Sequence, residues 1–211
     1  SREAAPLRSE ARRPHLRRRD PALGTFMRRF GPMTLELPAR RSVYAALSRA
    51  IVFQQLSGAA AGTIHRRLVA TSPARRRLQP QDVARVDDAT LRAAGLSRPK
   101  VAALRDLTRR TLARELPTRR DLDGMADEAI VEALTVVRGI GRWSAEMLLI
   151  FELGRPDVLP CHDLGVQKGF AQLHGCARPS PDELRDAGEA WRPFRTVASW
   201  YLWRRCDTQP P

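Results

Sequence analysis

From Ser42 to Cys206 the apolar residues recur at intervals of three and four, and alternating apolar and polar runs are scarce. That period builds amphipathic helices and denies a sheet its one-sided pleat, so the expected fold is all-α, with about nine or ten helices. SVYAALSRAIVFQQLS opens on a Ser suited to an N-cap and sets Val43, Leu47, Ala50 and Ile51 on one stripe. SGAAAGTIHRRLVA reads as a helix of small residues able to approach its neighbours closely. In DDATLRAAGLSRPKVAALRDLTRRTLAR a short helix stops at Gly95, and a longer one carries Val101, Leu104, Leu107, Thr108 and Leu112 as its buried stripe. ADEAIVEALTVV, RWSAEMLLIFELG, LGVQKGFAQLHG, SPDELRDAGEAW and PFRTVASWYLWRRC complete the set. No internal repeat of solenoid period occurs.

Charge narrows the partners. The 211 residues carry a formal net charge of +14, nearly all of it from Arg, since Lys occurs only at positions 100 and 168. Such an excess favours a polyanion, nucleic acid first and an anionic membrane surface second, although an Arg-biased genome also raises it. Residues 1–41 hold eleven Arg against four acids, interrupted by Pro6, Pro14, Pro21, Pro32 and Pro38. They read as a basic N-terminal arm, then an irregular segment packing on a helical core of residues 42–211. The arm is either a solvated tail or a DNA contact. The three cysteines are scattered and form no CxxC, which suits a reducing compartment and suggests neither a zinc ribbon nor a disulfide framework. No apolar run approaches the ~20 residues of a membrane span, and the first residues hold no apolar signal core, so a cytoplasmic, non-membrane location is expected.

One segment carries chemistry. In LTVVRGIGRWSAEMLL a helix stops at Val137, turns on Gly139 and Gly141, and a second helix starts at once, a hairpin spanning residues 126–153. Gly serves where φ turns positive or another backbone must come close. The first amides of a helix point outward at the positive end of its dipole and make an anion site for a DNA phosphate. Taken alone, this turn is a weak signal, common to many helix pairs.

The longer stretch LTVVRGIGRWSAEMLLIFELGRPDVLPCHDLGVQKGF resembles the helix-hairpin-helix DNA glycosylase superfamily. Within it the best match is the AlkA-type 3-methyladenine DNA glycosylase II group. AIVFQQLSGAAA, LRAAGLSRPKVAALRDLT and WRPFRTVASWYLWR resemble further segments of that family in the right order, covering about residues 42–205. The resemblance implies a compact, two-lobed helical fold lacking the N-terminal sheet domain, with an active-site cleft between the lobes. Bifunctional members place a Schiff-base Lys two residues after the second Gly. Trp143 stands there, which implies a monofunctional enzyme using water, with no lyase step. Three scattered cysteines cannot hold the iron–sulfur cluster of the endonuclease-III-like branch.

The same resemblance assigns site residues. Asp163 is the catalytic carboxylate. It would stabilise the positive charge that develops on the sugar as the base leaves, and orient or deprotonate a water. Asp157 is the competing carboxylate and reads as a loop residue. Trp143, Met147, Trp203 and Trp200 would form a pocket for a flipped base, aromatic because an N-alkylated purine is cationic. Filling the core is the other reading of these rings. Met147 replaces a Tyr of the AlkA-type pocket, which leaves base preference open. Leu56, with Gln55 beside it, is either the wedge that fills the gap in the duplex or a core residue. Gly139, Gly141 and Arg142 would hold the backbone, and Lys168 would contact DNA or pair with a carboxylate. Carbonyls of Thr135, Val137 and Ile140 would bind a structural monovalent cation; no other cofactor is required. The implied function is hydrolytic excision of alkylated bases (3-methyladenine, 7-methylguanine, and in some members 1-methyladenine or 3-methylcytosine) from double-stranded DNA in base excision repair, by a monomer acting at the bacterial nucleoid. The alternative is a non-catalytic helix-hairpin-helix DNA-binding module, which needs neither a carboxylate at 163 nor an aromatic pocket.

Overall fold

The computed structural model describes residues 13–39, 41–72 and 77–208. Among them are thirteen α-helices: α1 (Arg13–Arg19), α2 (Pro21–Phe30), α3 (Val43–Phe53), α4 (Gly58–Ala70), α5 (Pro80–Arg85), α6 (Asp88–Ala93), α7 (Arg98–Leu112), α8 (Arg119–Gly124), α9 (Asp127–Thr135), α10 (Arg142–Phe151), α11 (Leu164–His174), α12 (Pro181–Gly188) and α13 (Arg195–Asp207). The described residues contain no strand. Helix starts are written in local chemistry. Asp20, Ser42, Ser57, Asp87 and Asp163 each accept a backbone N–H of the following turn. Thr118 and Ser180 close full capping boxes with Asp121 and Glu183.

The expectation of an all-α fold of about nine or ten helices holds, and the helices beyond that number include α5 and α8, whose six residues each are too few for a period to show. The expectation of an irregular segment before Ser42 is also corrected: α1 and α2 lie there. Their prolines do not break them, because Pro14 and Pro21 sit in first turns, where a missing N–H costs nothing. Residues 1–12 and Arg40 of the basic arm lie outside the described residues.

The chain divides into two compact units, one of residues 1–38 and 149–211, the other of residues 39–148, with the boundary inside α10. In the first, Leu16, Leu23 and Met27 from α1 and α2 are fully buried with Val166, Leu184, Tyr201 and Leu202. Helices α11 and α13 cross in backbone contact: a Cβ at Gly169 would stand 1.9 Å from the Leu202 carbonyl oxygen. Asp20 is buried beneath them. Its carboxylate accepts Leu23 N–H at 2.9 Å and Trp191 Nε1–H at 3.0 Å, and lies 3.3 Å from His174 Nε2. Burial pushes its pKa up, but His174, the Leu23 amide and Trp191 together outweigh burial and hold it below the usual carboxylate value.

The second unit packs α3 against α4 and α7, with Leu47, Ile51, Ala61, Leu68, Leu104 and Leu107 fully buried. Tyr44 hydrogen-bonds Thr108 at 3.0 Å inside this core, and burial pushes its phenol up to about 12. The stripe expected on α7 holds at Val101, Leu104, Leu107 and Thr108 but fails at Leu112, which is 44% exposed. Leu112 closes the helix, where the packed face has run out.

Candidate active site

Asp163 is the N-cap of α11, in extended conformation, so its side chain turns back over the first turn. One oxygen, Oδ1, accepts two donors: Val166 N–H at 2.9 Å and the indole Nε1–H of Trp203, also at 2.9 Å. The space for that indole exists because residue 165 is Gly. A Cβ there would meet Trp203 Cδ1 at 2.9 Å and Asp163 Oδ1 at 3.1 Å. Trp203 is also stacked on Phe151, with centroids 5.6 Å apart and planes 30° from parallel. Two aromatic rings and a helix start thus hold one carboxylate in a single orientation. Trp203, expected only as a pocket ring, is also a direct hydrogen-bond partner of Asp163. Phe151, which helical spacing sets on one face with Trp143, Met147 and Ile150, carries no site role in the sequence reading.

The competing carboxylate is committed elsewhere. Asp157 accepts Arg195 Nε at 2.8 Å and Arg192 Nη1 at 2.7 Å, a structural ion-pair cluster. Trp200 lies in the core, 4% exposed, edge-on to Tyr201 and Phe30 with centroids 4.9 and 5.7 Å apart. Its ring is occupied by packing and is not offered to a base, which corrects the expectation for this residue. The buried core claims it, whereas Trp203, one turn later on α13, is only partly buried. Lys168 is exposed on α11.

In the second unit the hairpin forms between α9 and α10 as expected. Gly139 has φ +78°, a left-handed conformation that favours Gly, and a Cβ there would also press on Ala103 at 3.3 Å. The first bond of α10 runs from the Ala145 amide to the Gly141 carbonyl. Trp143 stands in the first turn of α10 with 45% of its surface exposed, unusual for so large a ring, and Met147 follows one turn later, half-buried. Arg142 is engaged by Glu128 in a forked ion pair, which holds the Glu128 carboxyl below its usual value. The Val137 carbonyl accepts the Ile140 amide at 3.0 Å, and among the described residues the Thr135 and Ile140 carbonyls accept no backbone hydrogen bond. Carbonyl oxygens with lone pairs to spare fit a hard monovalent cation.

Between α3 and α4 the chain turns at Gln55, a non-glycine residue with φ +57°. The turn leaves Gln55 exposed and Leu56 40% exposed. Leu56 is therefore not a core residue. Gln54, which was not singled out in sequence, bonds through Nε2 to the Gly139 carbonyl at 2.9 Å and to Ser144 Oγ at 3.3 Å.

A protruding leucine turn, a glycine hairpin opening a helix, and a carboxylate capping another helix are the features of one family. The model of HhH-GPD superfamily base excision DNA repair proteins matches residues 48–193, and the chain belongs to that family. It is 36% identical over 166 residues to DNA-3-methyladenine glycosylase 1 of Schizosaccharomyces pombe, covering 78% of this chain and 73% of that protein. Among solved structures it is similar to the 3-methyladenine DNA glycosylase Mag1 of the same yeast in complex with abasic DNA. The TM-score is 0.82 at 32% identity, over 92% of this chain and 95% of that one. It is also similar to a DNA-3-methyladenine glycosidase of Bacillus halodurans, with a TM-score of 0.85 at 33% identity, over 95% and 91% of the two chains.

Proposed function

We propose that this protein is a monofunctional DNA glycosylase that binds duplex DNA, flips out alkylated bases and excises them hydrolytically in base excision repair. The observation that carries the chemical step is the Asp163 carboxylate, fixed by the Trp203 indole and the Val166 amide. As the C1′–N bond breaks, its electron pair leaves with the base, and positive charge builds on the sugar. Asp163 stabilises that charge and orients a water, whose oxygen bonds to C1′ while its proton is released. A cationic alkylated base needs no strong general acid, so one carboxylate suffices.

Other residues serve extrusion and grip. Leu56 wedges into the duplex, with Gln55 beside it. The exposed ring of Trp143, with Met147 one turn later on α10, stacks on the flipped base, and in the first unit Trp203 holds Asp163 in place. The turn at Gly139 and Gly141 holds a backbone phosphate, with Arg142 beside it in the first turn of α10, and Lys168, exposed on α11 of the first unit, contacts DNA. The carbonyls of Thr135, Val137 and Ile140 would hold a monovalent cation, which would stiffen that turn and take no part in the reaction. Trp143 in place of a Lys supports the absence of a lyase step. The protein works as a monomer.

Duplexes carrying 3-methyladenine, 7-methylguanine, 1-methyladenine or 3-methylcytosine test the proposal by chromatography of released bases. Release of at least one, with strand breakage only after alkali, is expected. Tight binding without release of any would instead identify a non-catalytic DNA-binding module. Borohydride trapping to DNA would identify a lyase.

A further inference from the structure

The wedge turn and the phosphate-holding hairpin are 85 residues apart in sequence at their point of contact, Gln54 to Gly139, yet one helix face holds both. Lys100, Ala103 and Asp106 recur at i, i+3 and i+6 on α7, and so share a face. Lys100 Nζ donates to the carbonyls of Val52 and Gln54, each at 2.7 Å, at the C-terminal end of α3. A cation in the first turn of α7 is badly placed for its own helix dipole, but it is well placed for the negative end of α3. Ala103 stands where a Cβ on the left-handed Gly139 would press, 3.3 Å away. Asp106 accepts the Arg138 amide at 2.9 Å while pairing with Arg110 at 3.0 Å. Burial raises its pKa, but these donors and Arg109 hold it below the usual value, so it stays an anion. Gln54 closes the arrangement by reaching from the wedge turn to the hairpin carbonyl. The next residue, Gln55, is in the left-handed region, a strained conformation for a non-glycine residue that persists only where its surroundings impose it.

We propose that α7 is a bracket that sets the wedge turn in fixed register with the hairpin, so that gripping a phosphate and inserting Leu56 become one event. Lys100, Asp106 and Gln54 are positioning residues for base extrusion: they touch neither the base nor the sugar. This inference rests on Leu56 being the wedge. Neither lysine nor glutamine chemistry is drawn into the excision step itself.

The test follows unstacking by stopped-flow fluorescence of 2-aminopurine placed beside an abasic site in a duplex, a readout that needs no excision. Leu56→Ala should slow the fluorescence rise. Lys100→Met should slow it about tenfold, the scale of one lost charge-assisted contact, with duplex affinity nearly unchanged. Lys100→Arg should recover most of the rate. Gln54→Met, which leaves α7 untouched, should behave like Lys100→Met, so the inference does not depend on one variant folding. In the Leu56→Ala background Lys100→Met should add little, because it acts through the same leucine. Multiplying losses in that double variant, or parental rates for both Lys100→Met and Gln54→Met, would overturn the bracket and leave the wedge standing. A parental rate for Leu56→Ala would overturn the wedge, and the bracket with it.

Discussion

Replacing Asp163 by Asn separates the charge of this residue from its structural work. The amide keeps an Oδ1 that accepts both the Val166 amide and the Trp203 indole. Asn is also as good an N-cap as Asp, so stability should change by less than about 1 kcal/mol. For a chain of this length that moves the melting temperature by no more than roughly 4 °C. The negative charge is lost outright. Opposite charges about 4 Å apart interact by about 4 kcal/mol at an effective dielectric of about 20. At about 1.4 kcal/mol per factor of ten, excision should fall about a thousandfold. Single-turnover release of a methylated base gives the rate, a thermal melt gives the stability, and fluorescence anisotropy on an abasic duplex gives the affinity. Excision within about tenfold of the parent, with the fold and affinity intact, would refute the assignment of Asp163 as the charge that stabilises the sugar. A melting temperature lowered by about 10 °C would instead show that the carboxylate matters for capping more than the geometry indicates.

Two structural predictions follow from the same unit. Gly169→Ala puts a Cβ against the Leu202 backbone, which has no rotamer to yield, so α11 and α13 must separate; a loss of about 3 kcal/mol or more, roughly 10 °C in a thermal melt, is expected. Asp20→Asn keeps the N-cap acceptor at Oδ1 but loses both the charge facing His174 and the acceptor for the buried Trp191 N–H, costing about 1–3 kcal/mol at neutral pH. Because the folded pKa of Asp20 is lowered, its contribution is fully present above the unfolded value of about 4 and is lost as pH falls through the folded value. Urea titrations at pH 7 and pH 3 should therefore show the gap between parent and variant closing at the lower pH; a gap that widens there would contradict the assignment.

Much of the molecule was legible in its sequence because the relevant physics is local. Helical period, capping residues and a Gly-Ile-Gly turn depend on neighbours a few positions away, and they placed α9, α10 and α11 with Asp163 at a helix start. Trp143 in place of a Lys argued against a lyase without any coordinates. The failures also have local causes. Proline at helix starts made α1 and α2 look irregular, and six-residue helices are shorter than a readable period. Lys100 is one of only two lysines in an Arg-rich chain, a local oddity whose partners only the fold supplies.

What the chain's letters could not decide is which side chains meet. Trp200 and Trp203 are both aromatic residues on one helix, yet packing sends the first into the core, while Gly165 clears the second a path to a carboxylate 40 positions away. Leu112 looks like a core leucine, and Leu56 like either a wedge or a core residue, until the fold leaves both at the surface. Gln54 and Lys100 acquire their roles only when α3, α7 and the hairpin come together. Local sequence determined the helices, the turn and the chemical character of the site. The tertiary structure alone settled its partners, because a hydrogen bond between distant residues is set by how whole helices pack.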